Sequence, residues 1–203
     1  MKQFLVILFS FIITNPYIGI DISHHNNINW DEINDLNVEF CYIKLTEGKH
    51  FIDSKAQDHF LNSKKRNIKT GFYHYFRTNV SGKDQLDLFK NQLNNFNYEL
   101  IPVIDIENTG NDFSDLTKIK KEISDFIEGF KNEFGYYPII YYGNLNAFRL
   151  LSVTRKCKSW IRVVGIPKFL CNFNLQQVKI EQCSFGELDI NYCNDISRIL
   201  VRD

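Results

Sequence analysis

Two carboxylates stand two residues apart at the end of an apolar segment, Pro102-Val103-Ile104-Asp105-Ile106-Glu107. On a β-strand, residues at this spacing project from the same face, so Asp105 and Glu107 would lie close together. Neighbouring carboxylates repel each other, and one of them therefore holds its proton more tightly than usual. A carboxylic acid that stays protonated near neutral pH can act as a general acid. The pair therefore indicates acid catalysis, with one of the two carboxylic acids keeping its proton.

Two further acids are predicted to join this pair. Asp21 and Asp189 end the first and last predicted strands, which are neighbours in a closed barrel. Four acids around one cleft, with aromatic rings nearby to stack on sugars, are typical of a glycosidase. The aromatic residues available as platforms are Tyr73, Tyr75, Tyr142 and Trp30.

Other polar residues end neighbouring strands, and each also has a structural interpretation. We predict that Glu47, His24 and Arg77 bind the substrate. Alternatively, Glu47 is a turn residue, His24 is hydrogen-bonded scaffolding and Asp21 caps a helix. His24 and His74 could instead hold a metal in a metal-dependent deacetylase. The four acids describe sugar hydrolysis more simply, so no metal and no cofactor are predicted.

The elements that must position these residues are short apolar runs alternating with amphipathic stretches. Such alternation favours a parallel sheet, and eight strands favour its closure into a barrel. Catalytic residues then lie at the carboxyl ends of the strands, but the chain is shorter than the roughly 250 residues of a complete (β/α)₈ barrel. We therefore predict an α/β fold, an irregular (β/α) barrel of about eight strands with few helices in the last third. The predicted strands are Tyr17–Ile22, Phe40–Leu45, Ile68–Phe76, Leu100–Ile106, Pro138–Tyr142, Ser159–Val164, Gln177–Cys183 and Glu187–Ile190.

Length and composition restrict the class of protein. The chain has 203 residues, of which 44% are hydrophobic, with 24 basic against 24 acidic side chains. This length suits one domain, and the apolar share excludes a disordered chain. A balanced charge gives no reason to expect a nucleic-acid partner or a polybasic membrane-binding surface.

The first residues look like a targeting segment. Lys2 precedes an apolar run over residues 4–13, which has the length of a signal-peptide core and is too short for the roughly 20 residues of a membrane span. We predict a signal peptide over residues 1–16 and a single catalytic domain over 17–203. The mature protein is expected to be a monomer without a membrane segment, secreted or delivered to a lysosome-like vesicle.

Cysteine positions give a weaker indication of secretion than the predicted signal peptide does. Cys41 lies within an apolar strand and is predicted to be a buried free thiol. The other four, Cys157, Cys171, Cys183 and Cys193, allow three pairings. Pairing Cys157 with Cys171 and Cys183 with Cys193 closes the shortest loops.

Six motifs in order resemble family 25 of the glycoside hydrolases, the N-acetylmuramidase lysozymes. They cover nearly the whole chain from Gly19 to Asn191, and together they are more specific than any one alone. The motifs are Gly19-Ile20-Asp21-Ile22-Ser23-His24-His25-Asn26, Phe40-Cys41-Tyr42-Ile43-Lys44-Leu45-Thr46-Glu47-Gly48, Gly71-Phe72-Tyr73-His74-Tyr75-Phe76-Arg77, Pro102-Val103-Ile104-Asp105-Ile106-Glu107, Pro138-Ile139-Ile140-Tyr141-Tyr142-Gly143 and Leu188-Asp189-Ile190-Asn191.

The resemblance implies hydrolysis of the β-1,4 bond between N-acetylmuramic acid and N-acetylglucosamine in the glycan strands of bacterial peptidoglycan. It implies that Glu107 is the proton donor and Asp105 the second essential acid. Asp21 and Asp189 then line the floor of the site. The resemblance also implies that Tyr73 and Tyr142 contact the reacting sugar.

The chain departs from the family pattern near its end. Where the family has Trp-Gln-Tyr in the seventh strand, this chain reads Ile180-Glu181-Gln182-Cys183, and the usual Trp-Ile-Ala reads Trp160-Ile161-Arg162. Lost aromatic rings would weaken sugar stacking without removing the acids. A peptidoglycan-binding barrel with impaired catalysis is therefore an alternative, beside the metal-dependent polysaccharide deacetylase.

Overall fold

The computed structural model of the chain describes residues 16–143, 149–162, 175–180 and 188–201, with the backbone alone for 162, 175–180 and 188. Nearly all of the predicted signal peptide lies outside these residues. So do Cys171, Cys183 and most of the altered seventh-strand motif. No helix among the described residues is long and apolar enough to cross a membrane.

The described strands occur where the apolar runs predicted them, with one addition, the short strand β3. They are β1 (Tyr17–Ile22), β2 (Phe40–Glu47), β3 (Phe51–Ile52), β4 (Lys69–Tyr75), β5 (Val103–Ile106), β6 (Ile139–Tyr142), β7 (Lys158–Arg162), β8 (Leu175–Ile180) and β9 (Leu188–Cys193).

The described α-helices follow the amphipathic stretches. Two of them begin at side-chain caps: the side chain of Asn29 accepts a hydrogen bond from the Asp31 amide, and that of Ser81 accepts one from the Asp84 amide. Beyond the fourth helix, helical structure in the described residues is limited to one α-turn and one 3₁₀ turn, as predicted for the last third. The α-helices are α1 (Trp30–Ile33), α2 (Ala56–Lys65), α3 (Gly82–Leu93), α4 (Leu116–Phe134) and α5 (Leu151–Thr154), and 3₁₀ turns span Asn34–Leu36 and Ile196–Arg198.

Strand pairings run around a ring, which confirms the irregular eight-stranded barrel. β1 pairs with β2, and pairing continues in parallel through β4, β5, β6, β7 and β8. The last strand, β9, joins β8 to β1 and is antiparallel to both. The expectation of a wholly parallel sheet was wrong for β9. Only residues 181–187 separate it from β8, and a parallel crossover needs a dozen residues or more.

Alternate strand residues build two separate apolar layers. The barrel interior holds aromatic side chains such as Phe40, Tyr42, Tyr141 and Trp160. The opposite strand faces pack against the helices in a larger outer cluster. Helix α4 contributes a buried stripe to that cluster at helical spacing, Ile119, Ile123, Phe126, Ile127 and Phe130.

The end of the barrel opposite the carboxyl strand ends is closed by the C-terminal segment. Leu100 and Leu200 form an antiparallel bridge, and the Ile101 amide donates to the Ile199 carbonyl over 2.7 Å. Ile199 is fully buried in the interior cluster. This segment seals one end, so the opposite end is left as the mouth of the barrel.

Two cysteine predictions can be compared with the structure. Cys41 is a buried free thiol, as predicted. Cys157 is also a free thiol, so the favoured disulfide between Cys157 and Cys171 is not formed. Its side chain packs against the outer apolar cluster instead.

Candidate active site

Strand register brings the first and last predicted acids together at the mouth. Asp21 of β1 pairs directly with Asp189 of β9. Because β9 runs antiparallel, Asp189 lies near the start of its strand, and that start reaches the same edge as the end of β1. The predicted adjacency is confirmed, although the strand runs opposite to the direction assumed.

A buried amide supports Asp21. Asn191 lies two residues beyond Asp189 and projects from the same face. Its Nδ2 donates to Oδ2 of Asp21 over 2.9 Å, and its side chain is fully buried. The sequence interpretation left Asn191 out of the site, although its spacing from Asp189 was a usable signal.

Among the acids of the mouth, Asp105 has a strongly perturbed pKa. It lies on β5, is 8% exposed, and forms a hydrogen bond with the carboxyl group of Glu107. Burial raises the pKa of Asp105 well above its ordinary value, and the charges of Glu107 and Asp21 raise it further. Lys44 opposes the rise. The raised pKa of Asp105 supports the expectation that the pair holds a proton.

Glu107 follows β5 directly and lies against a residue without a side chain. A Cβ built on Gly143 would come within 2.8 Å of Cδ of Glu107. The Gly143 amide also donates to the Ile106 carbonyl over 3.1 Å. Gly143, at the end of β6, therefore leaves the space that the carboxyl group of Glu107 occupies.

Tyr73 lies among the acids. Tyr73 is on β4 and pairs in register with Val103 of β5. Val103 lies two residues before Asp105, so the two project from the same face of β5. Burial raises the pKa of the Tyr73 hydroxyl well above its ordinary value, and the charges of Asp21 and Asp105 add to the effect. The Tyr73 hydroxyl is therefore a neutral hydrogen-bond donor beside the acids.

Tyr142 does not face the mouth, which corrects its predicted role in sugar binding. It pairs in register with Ile106, and its side chain is 2% exposed within the outer cluster. Its hydroxyl lies 2.7 Å from Oγ1 of Thr154. Strand alternation places the neighbouring residue instead, Tyr141, on the interior face with Asp105.

Trp30 is also engaged elsewhere. Its ring lies 5.6 Å from the guanidinium of Arg66 and 6.0 Å from the ring of His59, and it packs against the outer cluster. These contacts correct its interpretation as a sugar platform.

Glu47 and Arg77 bind each other. Nε of Arg77 donates to Oε1 of Glu47 over 2.8 Å, and Lys44 donates to Oε2 over 2.6 Å. Burial alone would raise the pKa of Glu47, but the hydrogen bonds and charges of the two cations lower it. Both oxygens of Glu47 have protein partners, which favours a structural role, although Glu47 ends β2 and is not the turn residue considered from the sequence.

His24 and His74 lie in different layers. Nδ1 of His24 lies 2.8 Å from Oδ2 of the buried Asp53, which fits the scaffolding interpretation. His74 is fully buried between Thr46 and Gln85, with contacts from both ring nitrogens. His74 therefore cannot join His24 in the metal site considered from the sequence. Among the described residues, no cluster of three or more His, Cys, Asp or Glu side chains could hold a metal ion.

Comparisons with known proteins agree with this architecture. The sequence profile of the Glycosyl hydrolases family 25 matches residues 20–168. An autolytic lysozyme of Clostridium acetobutylicum is 29% identical over 154 residues, which are 74% of this chain and 46% of that protein. Lysozyme M1 of Streptomyces globisporus is 36% identical over 94 residues, which are 44% of this chain and 32% of that protein.

A solved structure shows the same fold over nearly the whole chain. The bacterial lysozyme from Streptomyces coelicolor superposes with a TM-score of 0.76 at 26% identity, covering 92% of this chain and 96% of that chain. This chain spans less than half the length of the two curated lysozymes named above. The barrel, the acids at its mouth and the matched profile together define a glycoside hydrolase. The chain belongs to glycosyl hydrolase family 25.

Proposed function

We propose that this protein is a lysozyme that hydrolyses the β-1,4 bond between N-acetylmuramic acid and N-acetylglucosamine in bacterial peptidoglycan. The observation that carries the proposal is the gathering of Asp21, Asp105 and Glu107 around Tyr73. All three charges act on the pKa of Tyr73, although Asp21 comes from the end of β1 and the other two acids from the end of β5. Relatives named lysozyme support the choice of substrate.

The proton shared by Asp105 and Glu107 supplies the acid catalysis. The glycosidic oxygen is a poor leaving group and needs a proton as the bond breaks. Glu107 lies beyond the strand end and is less buried than Asp105, so we assign it the donation. In the unliganded site, burial favours the proton on Asp105. Transfer across their hydrogen bond protonates Glu107 and leaves Asp105 negative.

The negative charge left on Asp105 then has a second role. The sugar develops positive charge as the bond breaks, and fixed negative charge nearby stabilises that state. Asp21 adds to this field and is oriented by the amide of Asn191. Asp189, its partner on β9, extends the acidic wall. Tyr73 is placed to donate a hydrogen bond to the substrate or to an acid.

The bond that is cut identifies the activity. Purified peptidoglycan is incubated with the protein, the products are reduced with borohydride, and the fragments are analysed by mass spectrometry. A lysozyme releases fragments that end in reduced muramic acid, whereas a glucosaminidase leaves reduced glucosamine at that end. Release of acetate without new reducing ends would indicate a deacetylase, and adsorption without release would indicate a binding barrel. Any of these three other results would contradict the proposal.

A further inference from the structure

The turn that follows the proposed proton donor is held at consecutive backbone carbonyls. Glu107, Asn108 and Thr109 each offer a carbonyl oxygen, and each accepts a hydrogen bond from a residue of the mouth. A turn outside regular structure has no ladder to satisfy such groups. Separate donors must therefore fix it.

Asn111 provides the first two of these bonds. Its side-chain Nδ2 donates to the Glu107 carbonyl over 2.9 Å, and its backbone amide donates to the Asn108 carbonyl over 2.9 Å. The same Nδ2 also donates to the Phe76 carbonyl at the end of β4 over 2.9 Å. The side chain therefore ties the turn after β5 to the neighbouring strand.

The orientation of the Asn111 amide is determined by its partners. Oδ1 accepts from the Thr78 backbone amide over 2.9 Å. A backbone amide can only donate and a carbonyl can only accept, so exchanging the oxygen and nitrogen of Asn111 would break its three side-chain bonds to backbone groups. The contact is specific to an amide side chain.

Arg77 holds the next part of the turn. Its Nη1 donates to the Thr109 carbonyl over 2.8 Å, beside the Tyr75 hydroxyl, which donates to the same oxygen over 2.9 Å. Gly110 has a φ of +69°, and a Cβ there would collide with the Arg77 guanidinium. Asn111 thus acts within a turn that is already restrained on its far side.

We infer that Asn111 is a positioning residue that fixes Glu107 for proton donation. The inference rests on the proposed function, because it assigns Asn111 no role apart from Glu107. A displacement of about 1 Å can cost about a hundredfold in rate when the reacting groups must be aligned. Loss of the amide should therefore affect turnover far more than substrate binding.

Leaving-group dependence separates a misplaced acid from general damage. The substrates are aryl β-glycosides of the disaccharide N-acetylglucosaminyl-N-acetylmuramic acid. 2,4-Dinitrophenolate leaves without a proton, whereas 4-methylphenolate needs one. We expect Asn111→Ala to lower kcat by about tenfold or more on the 4-methylphenyl glycoside and by less than about threefold on the dinitrophenyl glycoside. KM should change by less than about twofold.

Asn111→Asp keeps the oxygen that accepts from Thr78 but loses both donor bonds, and it should give the same pattern. It carries the test if Asn111→Ala does not fold. Asn62→Ala is the matched control, since Asn62 donates its amide to the Asp58 carbonyl over 2.9 Å on α2. It should leave both rates unchanged.

Two results would overturn the inference. One is equal loss on both glycosides in the Asn111 variants, which would indicate a general defect. The other is no loss on either glycoside. Glu107→Gln is assayed in parallel and should show the strongest leaving-group dependence. If Glu107→Gln loses rate equally on both, then the assignment of Glu107 as proton donor fails as well, which separates that failure from one confined to Asn111.

Discussion

At the scale of single residues, the mouth concentrates negative charge where solvent is scarce. Asp105 is nearly buried beside Glu107 and Asp21, and such an arrangement costs stability while preparing an acid for catalysis. Asp105, Glu107 and Asp21 could be predicted from the sequence, because carboxylates at strand ends are distinctive. Asn191 and Asn111 could not be recognised as easily, since their importance depends on which atoms their amides reach.

Removing the charge of Asp105 should make the protein more stable and less active. Each unit by which the pKa is raised corresponds to about 1.4 kcal/mol of unfavourable free energy for the charged form. The raised pKa of Asp105 means that the ionised side chain destabilises the fold above the ordinary pKa of 3.8. We expect Asp105→Asn to gain about 1 kcal/mol or more at neutral pH, which corresponds to about 2–4 °C in Tm.

The gain from Asp105→Asn should shrink as the pH falls, because Asp105 is then protonated in both the folded and the unfolded state. Thermal unfolding at neutral pH and near pH 3 measures both effects. A neutral-pH Tm at or below that of the wild type would contradict the burial and repulsion described for this carboxyl group.

Two tyrosines two strands apart provide a matched comparison. Tyr73 lies among the acids, whereas the Tyr142 hydroxyl lies on Thr154 in the outer layer. Tyr73→Phe should lower kcat by about tenfold, since it removes a donor beside the reacting groups. Tyr142→Phe should cost about 1 kcal/mol of stability through the lost hydrogen bond and leave kcat unchanged. The rate of peptidoglycan digestion and urea unfolding are measured for both variants. A large loss of kcat in Tyr142→Phe, with none in Tyr73→Phe, would support the sugar-binding role first predicted for Tyr142.

At the scale of elements, periodicity located most strands and helices but did not determine their directions or faces. The apolar pattern of residues 188–190 is the same for a parallel and an antiparallel strand. The direction of β9 could be inferred only from the short connection that precedes it. Adjacent residues such as Tyr141 and Tyr142 are both apolar and both buried. Strand register with β5 was needed to separate them.

One buried histidine joins three elements and should make stability depend on pH. His74 of β4 accepts at Nδ1 from the Thr46 hydroxyl of β2 and donates from Nε2 to the Gln85 side chain of α3. Burial lowers the pKa of His74 from 6.5 to about 4. The unfolded chain therefore binds a proton before the folded protein does, so stability is lost as the pH falls from 6.5 to about 4.

The expected loss from His74 is about 3 kcal/mol over that interval. Urea unfolding at pH 7 and pH 4 measures it. His74→Gln can accept from Thr46 and donate to Gln85, and it should flatten most of the fall. His59, whose pKa burial also lowers, retains its own smaller contribution. An unchanged pH dependence in His74→Gln would contradict this account.

At the scale of the whole molecule, the two ends of the barrel have different roles: one stabilises the fold, and the other carries the acids. The C-terminal segment closes one end through Ile199 and the bridge between Leu100 and Leu200. The acids occupy the other end, where parallel-strand barrels place their active sites. This closure was not predicted from the sequence, because the last residues contain no long periodic run.

Ile199→Ala should reduce stability without changing turnover. Truncating a fully buried aliphatic side chain costs about 2–5 kcal/mol, and Ile199 is fully buried at the closed end. We expect a loss in this range by urea unfolding, with kcat of the folded protein unchanged. Leu151→Ala is the control, because Leu151 is 45% exposed and should lose little. A reduced kcat in folded Ile199→Ala would show that the two ends are coupled.

The central claim is that the clustered acids hydrolyse the wall glycan with Glu107 as proton donor. Its most direct test is the rate at which new reducing ends appear in purified peptidoglycan, compared between the wild type and Glu107→Gln, with both proteins shown to be folded. We expect the substitution to lower this rate by about a hundredfold or more. A folded Glu107→Gln protein that released reducing ends at the wild-type rate would contradict it.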